Sequence, residues 1–511
     1  MAVAAAVVEA ILEGGNGLET DENPSFFVYL KMRVLGSCFF EKHVIILQSE
    51  KFVKRNDINI KNSNTMKKLI ITVILVAFVV LPVLAQNVLY VNKATGKNRN
   101  DGSKEMPLKN IQKAVDIAEP GTLIRVAEGN YFGNLDNGNI KITKPVTIEG
   151  GWNSDFSERD VLKYCTMIQP TAESNGTATL GTLGTMHIEI MQKGDIPMEL
   201  DGLIFDRGNT NAYNLKGEGK PEGVLSPMMN EPVGAAGCGG NDEMSIKDVK
   251  NHDSYTLYFK VSCPINIRNC AFLNSRQQAI EGGIGEGKKA TITNNIIVNS
   301  RMAGVEINGN SATLNAEVEF AYNTVLFAWT RTRTFEDMGY GYRYMNKIDG
   351  YVHHNILGCC CFAALDRCRI DSPSDREKKK VTTAEHNRFF LNKQADLMIP
   401  GGGKFQRIWA DEFEDVEQLA EVDDNLTITD PKALNNAIDV NYLKGWINLS
   451  YGETSTFDRN SGANQFRQAM GMNMQGTMNS KASMWANRYP WRKALELFGA
   501  MPGYGAQKPA K

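Results

Sequence analysis

Two stretches of this chain repeat the same charged side chains. "NCAFLNSR" ends at Arg276 and "NNIIVNSR" ends at Arg301, and a glutamate follows each at the same offset, Glu281 and Glu306. If the two copies stack, like charges come within about 5 Å, the strand spacing of a sheet. Like charges that close repel unless something of opposite sign lies between them. Arg276 and Arg301 could then grip an anionic chain. Glu281 and Glu306 could hold Ca²⁺, which takes several oxygen ligands. The plain alternative is that both pairs are outward ladder residues, neutralised by neighbours or solvent.

A second concentration of chemistry follows Leu326, in "FAWTRTRTFEDMGYGYRYMNKIDG". Aromatic rings stack on sugar faces, and guanidinium groups bind carboxylates through two parallel hydrogen bonds. Trp329, Arg331, Arg333 and Tyr340 are therefore candidate substrate-binding residues, together with Arg276. Tyr342, Arg343 and Lys347 are candidate catalytic residues, together with Arg301. The alternative is a loop whose aromatics pack against the flank of the fold. His353 and His354 are adjacent, so in a strand they face opposite sides. Either could be a neutral base near pH 7. His386 follows the column of His354 and is expected to stack on it, and His252 is a weaker candidate.

The elements that must position these residues show in a repeated frame. Asn269-Cys270, Asn294-Asn295, Tyr322-Asn323, His354-Asn355 and His386-Asn387 each precede a short apolar strand. The frame recurs at intervals of roughly 25 to 32 residues, and a period of that size marks stacked units. Each unit reads as strand, Asn turn, strand and variable loop, which is the pattern of a parallel β-helix. Inward positions hold Ile, Val, Leu and Phe because each coil buries them only against the coils above and below. Asn suits the turn because it tolerates left-handed backbone angles, and stacked Asn side chains can bond along the column. Cys270 interrupts that column, so the ladder is expected to be weakest there. Coils are expected from about residue 123 to about residue 400.

At the N-terminal side, Leu108, Ile111, Val115 and Ala118 lie on one helical face after Pro107, and Glu119-Pro120-Gly121 stops the helix. Met66 opens "MKKLIITVILVAFVVLPVLAQ", with lysines, an apolar run and a small residue before Gln86. That is the layout of a signal peptide over 66–85. Residues 1–65 are then expected to be an upstream extension outside the exported protein. The solenoid is expected over 86–400, and an irregular C-terminal segment over 401–511 is expected to pack over exposed coils and fray from Pro502. Export permits disulfides, and at most a single bridge is expected here. The adjacent Cys359, Cys360 and Cys361 suit no tetrahedral metal pattern.

The chain has 511 residues, 42% hydrophobic and 22% charged, with a net charge of −2. These are ordinary values for a globular protein, and the charge argues against a dedicated nucleic-acid binder. No stable membrane span is expected after signal-peptide cleavage, and a monomer is expected.

The segment "YVN…NDGS…PLKNIQKAVDIAEPGTLIRVAEGNY", with "ITKPVTIEGGW" from Ile142 to Trp152, closely resembles the N-terminal cap of secreted proteins of the pectate-lyase-like superfamily. The resemblance implies an all-β right-handed parallel β-helix with an N-terminal capping helix. It also implies secretion to the periplasm, the cell surface or the medium. Polysaccharide lyases of this superfamily abstract the proton beside a uronate carboxylate. Lys288-Lys289 before "ATITNN" resembles the basic residue ahead of an Asn-turn coil in alginate and chondroitin lyases of this fold, which makes Lys288 a further catalytic candidate. Where those families continue with an Arg-His-Gly-type segment, this chain reads "VEINGN". Three functions remain open: a polysaccharide lyase acting on an acidic glycan, a non-catalytic carbohydrate-binding surface protein, and a glycoside hydrolase on the same scaffold.

Overall fold

The structure is a computed structural model. It describes residues 6–12, 28–34, 87–133, 139–169, 185–207, 255–275, 277–310, 314–329, 339–344, 347–367, 382–401, 404–417, 419–449, 462–471 and 489–510. The chain divides into two units, Met1–Leu84 and Ala85–Lys511. In the first, Ala6–Leu12 and Val28–Val34 pair antiparallel. The expected signal peptide lies outside the described residues. Among the described residues, no helix is long and apolar enough to cross a membrane.

The second unit is a right-handed parallel β-helix with three sheets running along its length. Among the described residues, the first sheet has 10 strands, from Val88–Val91 to Leu419–Asp423. The second has 9, from Gly129–Phe132 to Leu426–Ile428. The third has 9, from Ile140–Ile142 to Lys404–Ile408. A full coil contributes one strand to each sheet, and neighbouring coils pair in parallel; at the far end of the third sheet Lys404–Ile408 instead folds back antiparallel on Ala395–Gly401. The coils continue past residue 400, because Leu419–Asp423 and Leu426–Ile428 pair in parallel with the preceding coil.

Alternation along each strand fills the interior. In the first sheet Ile148, Leu200, Ile267, Ile292, Phe320, Val352 and Ala384 stand in register on successive coils, and all are buried. In the third sheet Leu257, Phe259 and Val261 point inward while Tyr258 and Lys260 point outward. Gly282 stands in register with Phe259. A Cβ there would collide with the Phe259 ring, so the glycine makes room for the phenyl group.

The turn between the first and second sheets divides its work between two residues. The first of each pair takes the left-handed conformation: Asn269, Asn294, Tyr322, His354 and His386 all have positive φ. The second builds the ladder. Asn295 Nδ2 donates to Asn323 Oδ1 at 3.0 Å, Asn323 to Asn355 at 3.2 Å, Asn355 to Asn387 at 3.0 Å, and Asn387 to Asn425 at 3.0 Å. Each Oδ1 also accepts the backbone N–H of the coil before it, so buried amides that face no sheet partner are satisfied. At Cys270 the side-chain ladder stops, but the backbone N–H still donates to Asn295 Oδ1 at 3.0 Å.

Both ends are closed. Helix α1, Ile111–Ile117, lays Ile111, Ala114 and Val115 on the first coils. It begins later than Pro107, because Leu108 is taken up by a parallel bridge to Val91. At the far end a 3₁₀ turn, Ala410–Asp415, inserts Phe413 against Phe389 with ring centroids 5.3 Å apart.

The C-terminal segment covers a side of the solenoid. Helices α2 (Val440–Leu449), α3 (Gly462–Ala469) and α4 (Trp491–Leu495) contribute Tyr442, Trp446, Phe466, Trp491 and Leu495 to an apolar layer over the outer face of the second sheet. The tail expected to fray is anchored instead. Gly505 N–H donates to the His354 carbonyl at 2.7 Å, Ala506 N–H to Thr324 Oγ1 at 3.0 Å and Gln507 N–H to Asn294 Oδ1 at 2.6 Å.

Candidate functional site

The third sheet carries the chemistry. Strand pairing places Lys141, His187, Tyr258, Glu281, Glu306, Arg343 and Asp366 in register on successive coils. Their neighbours Ile188, Phe259, Ile280, Val305 and Leu365 are core residues, so alternation directs this column outward.

Its members interact along the column. The His187 and Tyr258 rings stack with centroids 4.8 Å apart, and Tyr255 stacks on Tyr258 at 5.8 Å. His187 Nε2 lies 3.9 Å from Glu189 Oε2, which Lys141 Nζ also approaches at 3.9 Å. Gln278 Nε2 donates to Glu306 Oε2 at 2.9 Å. Arg343 Nε faces Asp366 Oδ2 at 2.9 Å, with both side chains buried.

Glu281 is strongly perturbed. Burial, and next the negative charge of Glu306, push its carboxyl up to about 9, against the opposing influence of Arg343. Both causes favour the protonated acid over the carboxylate. Burial lowers His187, with Glu189 opposing, which favours a neutral imidazole. Burial, then Glu281, raises the Tyr258 phenol. Three buried polar atoms here have no hydrogen-bond partner among the described residues: His187 Nδ1, Gln278 Oε1 and Glu281 Oε2. Buried polar atoms are nearly always paired, so three orphans on one face need a reason.

The sequence-derived candidates scatter by comparison. Glu281 and Glu306 do come together, in register as their repeat implied. Arg343 joins them one coil on. Tyr342 points the other way, into the core, where it stacks on Phe320 at 4.2 Å, so it has no face for a substrate and its catalytic assignment falls. Trp329 lies on the second sheet, 1% exposed, edge-on to Trp446 at 6.4 Å. The C-terminal helices cover it, which removes it as a sugar platform. Tyr340 is buried edge-on to Phe362 at 5.1 Å. Arg301 is buried at the end of its second-sheet strand, in register with Trp329.

Lys288 and Lys347 lie at the corner between the third and first sheets. Lys288 Nζ pairs with Asp195 at 2.8 Å. The Lys347 carbonyl accepts from Ala316 N–H at 2.9 Å. Arg276, Arg331, Arg333, Glu336, Asp337 and His252 lie outside the described residues. His353 and His354 meet, Nδ1 to Nδ1 at 3.0 Å, because the left-handed turn at His354 breaks the strand alternation. His386 does stack on His354, at 4.8 Å.

For Ca²⁺ the fit is poor. Six to eight oxygens are needed. Among the described residues no group of three or more His, Cys, Asp or Glu side chains could hold a metal, and Arg343 follows the glutamates in register. Cys165 is disulfide-bonded, whereas Cys263, Cys270, Cys359, Cys360 and Cys361 are free and buried.

Residues 94–155, the cap and first coil, match a family model described as a protein of unknown function, DUF1565. No curated protein matches the chain. Among solved structures, the chain is similar to the pectate lyase Pel9A, with 10% identity over 67% of this chain and 77% of that one and a TM-score of 0.32. It is also similar to a pectin methylesterase in complex with a hexasaccharide, with 12% identity over 69% and 95% and a TM-score of 0.28. A third is the Yersinia enterocolitica family 28 exopolygalacturonase, with 12% identity over 62% and 56% and a TM-score of 0.28. The chain thus spans just over half of that exopolygalacturonase. All three names are those of carbohydrate-active enzymes.

Proposed function

We propose that this is an exported carbohydrate-active enzyme that cleaves a uronate-containing glycan by β-elimination on the outer face of the third sheet. One observation carries the reading: two carboxyls, Glu281 and Glu306, stand in register beside Tyr258, so that burial and the Glu306 charge push the Glu281 carboxyl up. Removing the proton beside a carboxylate builds negative charge on that carboxylate. A neutral carboxylic acid can donate a hydrogen bond to it without ionising, and a raised pKa keeps the acid in that form. His187 supplies the base. Burial favours its neutral imidazole, the form that can accept a proton.

In the proposed step the carbon-bound proton passes to the neutral His187 imidazole. The electron pair forms the new carbon–carbon double bond, and the glycosidic oxygen leaves with a proton from Tyr258. The disulfide at Cys165 fits export to an oxidising compartment.

A hydrolase is the second reading. Two in-register glutamates stand about one strand spacing apart, roughly 4.8 Å, close to the separation of about 5 Å in retaining glycosidases.

One experiment separates these readings. The purified chain is incubated with galacturonan, alginate and chondroitin, with Ca²⁺ or with a chelator, while unsaturated uronate absorbance and new reducing ends are followed. Elimination gives both signals, and hydrolysis gives reducing ends alone. Binding without either product leaves a carbohydrate-binding protein, and neither binding nor product on any polymer refutes the proposal. Glu281→Gln sharpens the test. An amide still donates a hydrogen bond, so a lyase is expected to keep activity within about tenfold, whereas loss of a general acid costs roughly 10²–10⁴-fold.

A further inference from the structure

Gln278 precedes the strand Ile280–Ile284 and is 4% exposed. Its amide has two ends with different fates. Nε2 donates to Glu306 Oε2 at 2.9 Å. Oε1 is buried with no partner among the described residues. Rotating the amide by half a turn would not satisfy it, because Oε1 would then confront the Glu306 carboxylate, acceptor against acceptor. Glu306 thus locks the amide with its acceptor directed away from the carboxylate. An unmet buried acceptor costs free energy, and only a group that donates a hydrogen bond relieves it.

We propose that Gln278 is a specificity-determining residue, whose Oε1 accepts a hydrogen bond from a hydroxyl of the sugar unit seated against Glu281. The inference rests on the reading that the third sheet binds a glycan, and it adds which group of the sugar is read and by what. Its chemistry is distinct from that of Glu281. Glu281 as a neutral acid answers the carboxylate of the sugar, whereas Gln278 Oε1, which can only accept, answers a hydroxyl. A site with both therefore selects a unit that carries a carboxylate and a correctly placed hydroxyl. A unit lacking that hydroxyl leaves Oε1 unmet, and sites built to bond a hydroxyl reject such analogues strongly.

The test is calorimetric titration with trisaccharides of galacturonate, mannuronate and glucuronate, and with monodeoxy analogues of whichever trisaccharide binds best. For the wild-type protein, one deoxy position is expected to weaken binding by tenfold or more. Gln278→Met, close in volume but with no amide, is expected to bind the full trisaccharide about tenfold more weakly and to treat that deoxy analogue like its parent. If Gln278→Met does not fold, Gln278→Asn, which withdraws the amide by one methylene, is expected to show the same loss of discrimination. Equal binding of every deoxy analogue by the wild type overturns the inference, as does unchanged discrimination in a folded variant. If the wild type binds none of the trisaccharides, the glycan site itself falls and the inference with it. That outcome is distinct from glycan binding that ignores Gln278.

Discussion

Substituting Glu306 by Gln isolates what keeps Glu281 protonated. Burial first and the Glu306 charge second push the Glu281 carboxyl up to about 9 from an ordinary 4.5. The substitution removes the second cause and leaves the first. Two charges about 5 Å apart at an effective dielectric near 20 interact by roughly 3 kcal/mol, or about 2 pK units. Glu281 in the variant is therefore expected to titrate about two pH units below its wild-type value while staying above 4.5.

The sign for stability follows from the raised value. A carboxyl whose folded pKa exceeds its unfolded one favours the fold while protonated. That contribution is full below about pH 4.5 and is lost as pH rises towards about 9. The whole window amounts to about 6 kcal/mol as an upper bound, and Glu306→Gln is expected to recover roughly half of the loss at its alkaline end. Urea unfolding of both proteins at a series of pH values measures the two slopes, and carboxyl carbon NMR assigns the titrating group. If wild-type Glu281 titrates in the ordinary carboxylate range, or the variant keeps the wild-type slope, the account of a neutral Glu281 is wrong. If it is right, elimination by the variant fails about two pH units earlier on the alkaline side.

Two further outcomes test the scaffold around the site. Asn323→Ala strands the Asn295 N–H, the Asn295 amide and the Ile292 carbonyl in a dry interior, and is expected to cost roughly 3–6 kcal/mol in chemical denaturation. Asn425→Ala makes a similar deletion where the position is 8% exposed rather than 0%, so water can replace the lost bonds and the cost is expected to be smaller. Asp366→Ala takes the carboxylate from buried Arg343 and is expected to destabilise by about 3–5 kcal/mol, whereas the double replacement Arg343→Met with Asp366→Leu is expected to restore most of that.

The fold was legible because its signals are local. Each Asn turn announces a coil, and alternation beside it separates inward from outward residues. Glu281 and Glu306 were readable for the same reason, since no long insertion separates their coils. The rest of the column was not, because register cannot be counted across a loop of unknown path. His187 and Tyr258 stand side by side, yet residues 208–254 and more of the chain lie between them. The phase is also lost after the insertion that follows Trp329. Tyr342 and Arg343 are neighbours in sequence and both looked reactive, but one enters the core and the other joins the outer column. The Asn-turn rule needed a similar refinement. Left-handed geometry is set by the position, which Tyr322 and His354 also fill, while Asn is required one residue later for its two-ended amide.

What separates the third sheet from the other faces is the state of its polar groups. The second sheet is buried beneath α2, α3 and α4, so no glycan reaches it. The first sheet carries many charges, but they answer one another across coils: Arg125 with Glu149, Arg268 with Asp201, and Lys289 with Glu319. A solenoid needs nothing more than such ladders to satisfy an exposed face. On the third sheet, stacking instead sets two carboxyls opposite each other, and burial with the Glu306 charge pushes the Glu281 carboxyl up. Each of these lowers stability, and an apolar or paired residue at the same position would remove the cost. Stability alone therefore gives no reason for the column, whereas a ligand that brings hydroxyls and a carboxylate to it supplies the missing partners.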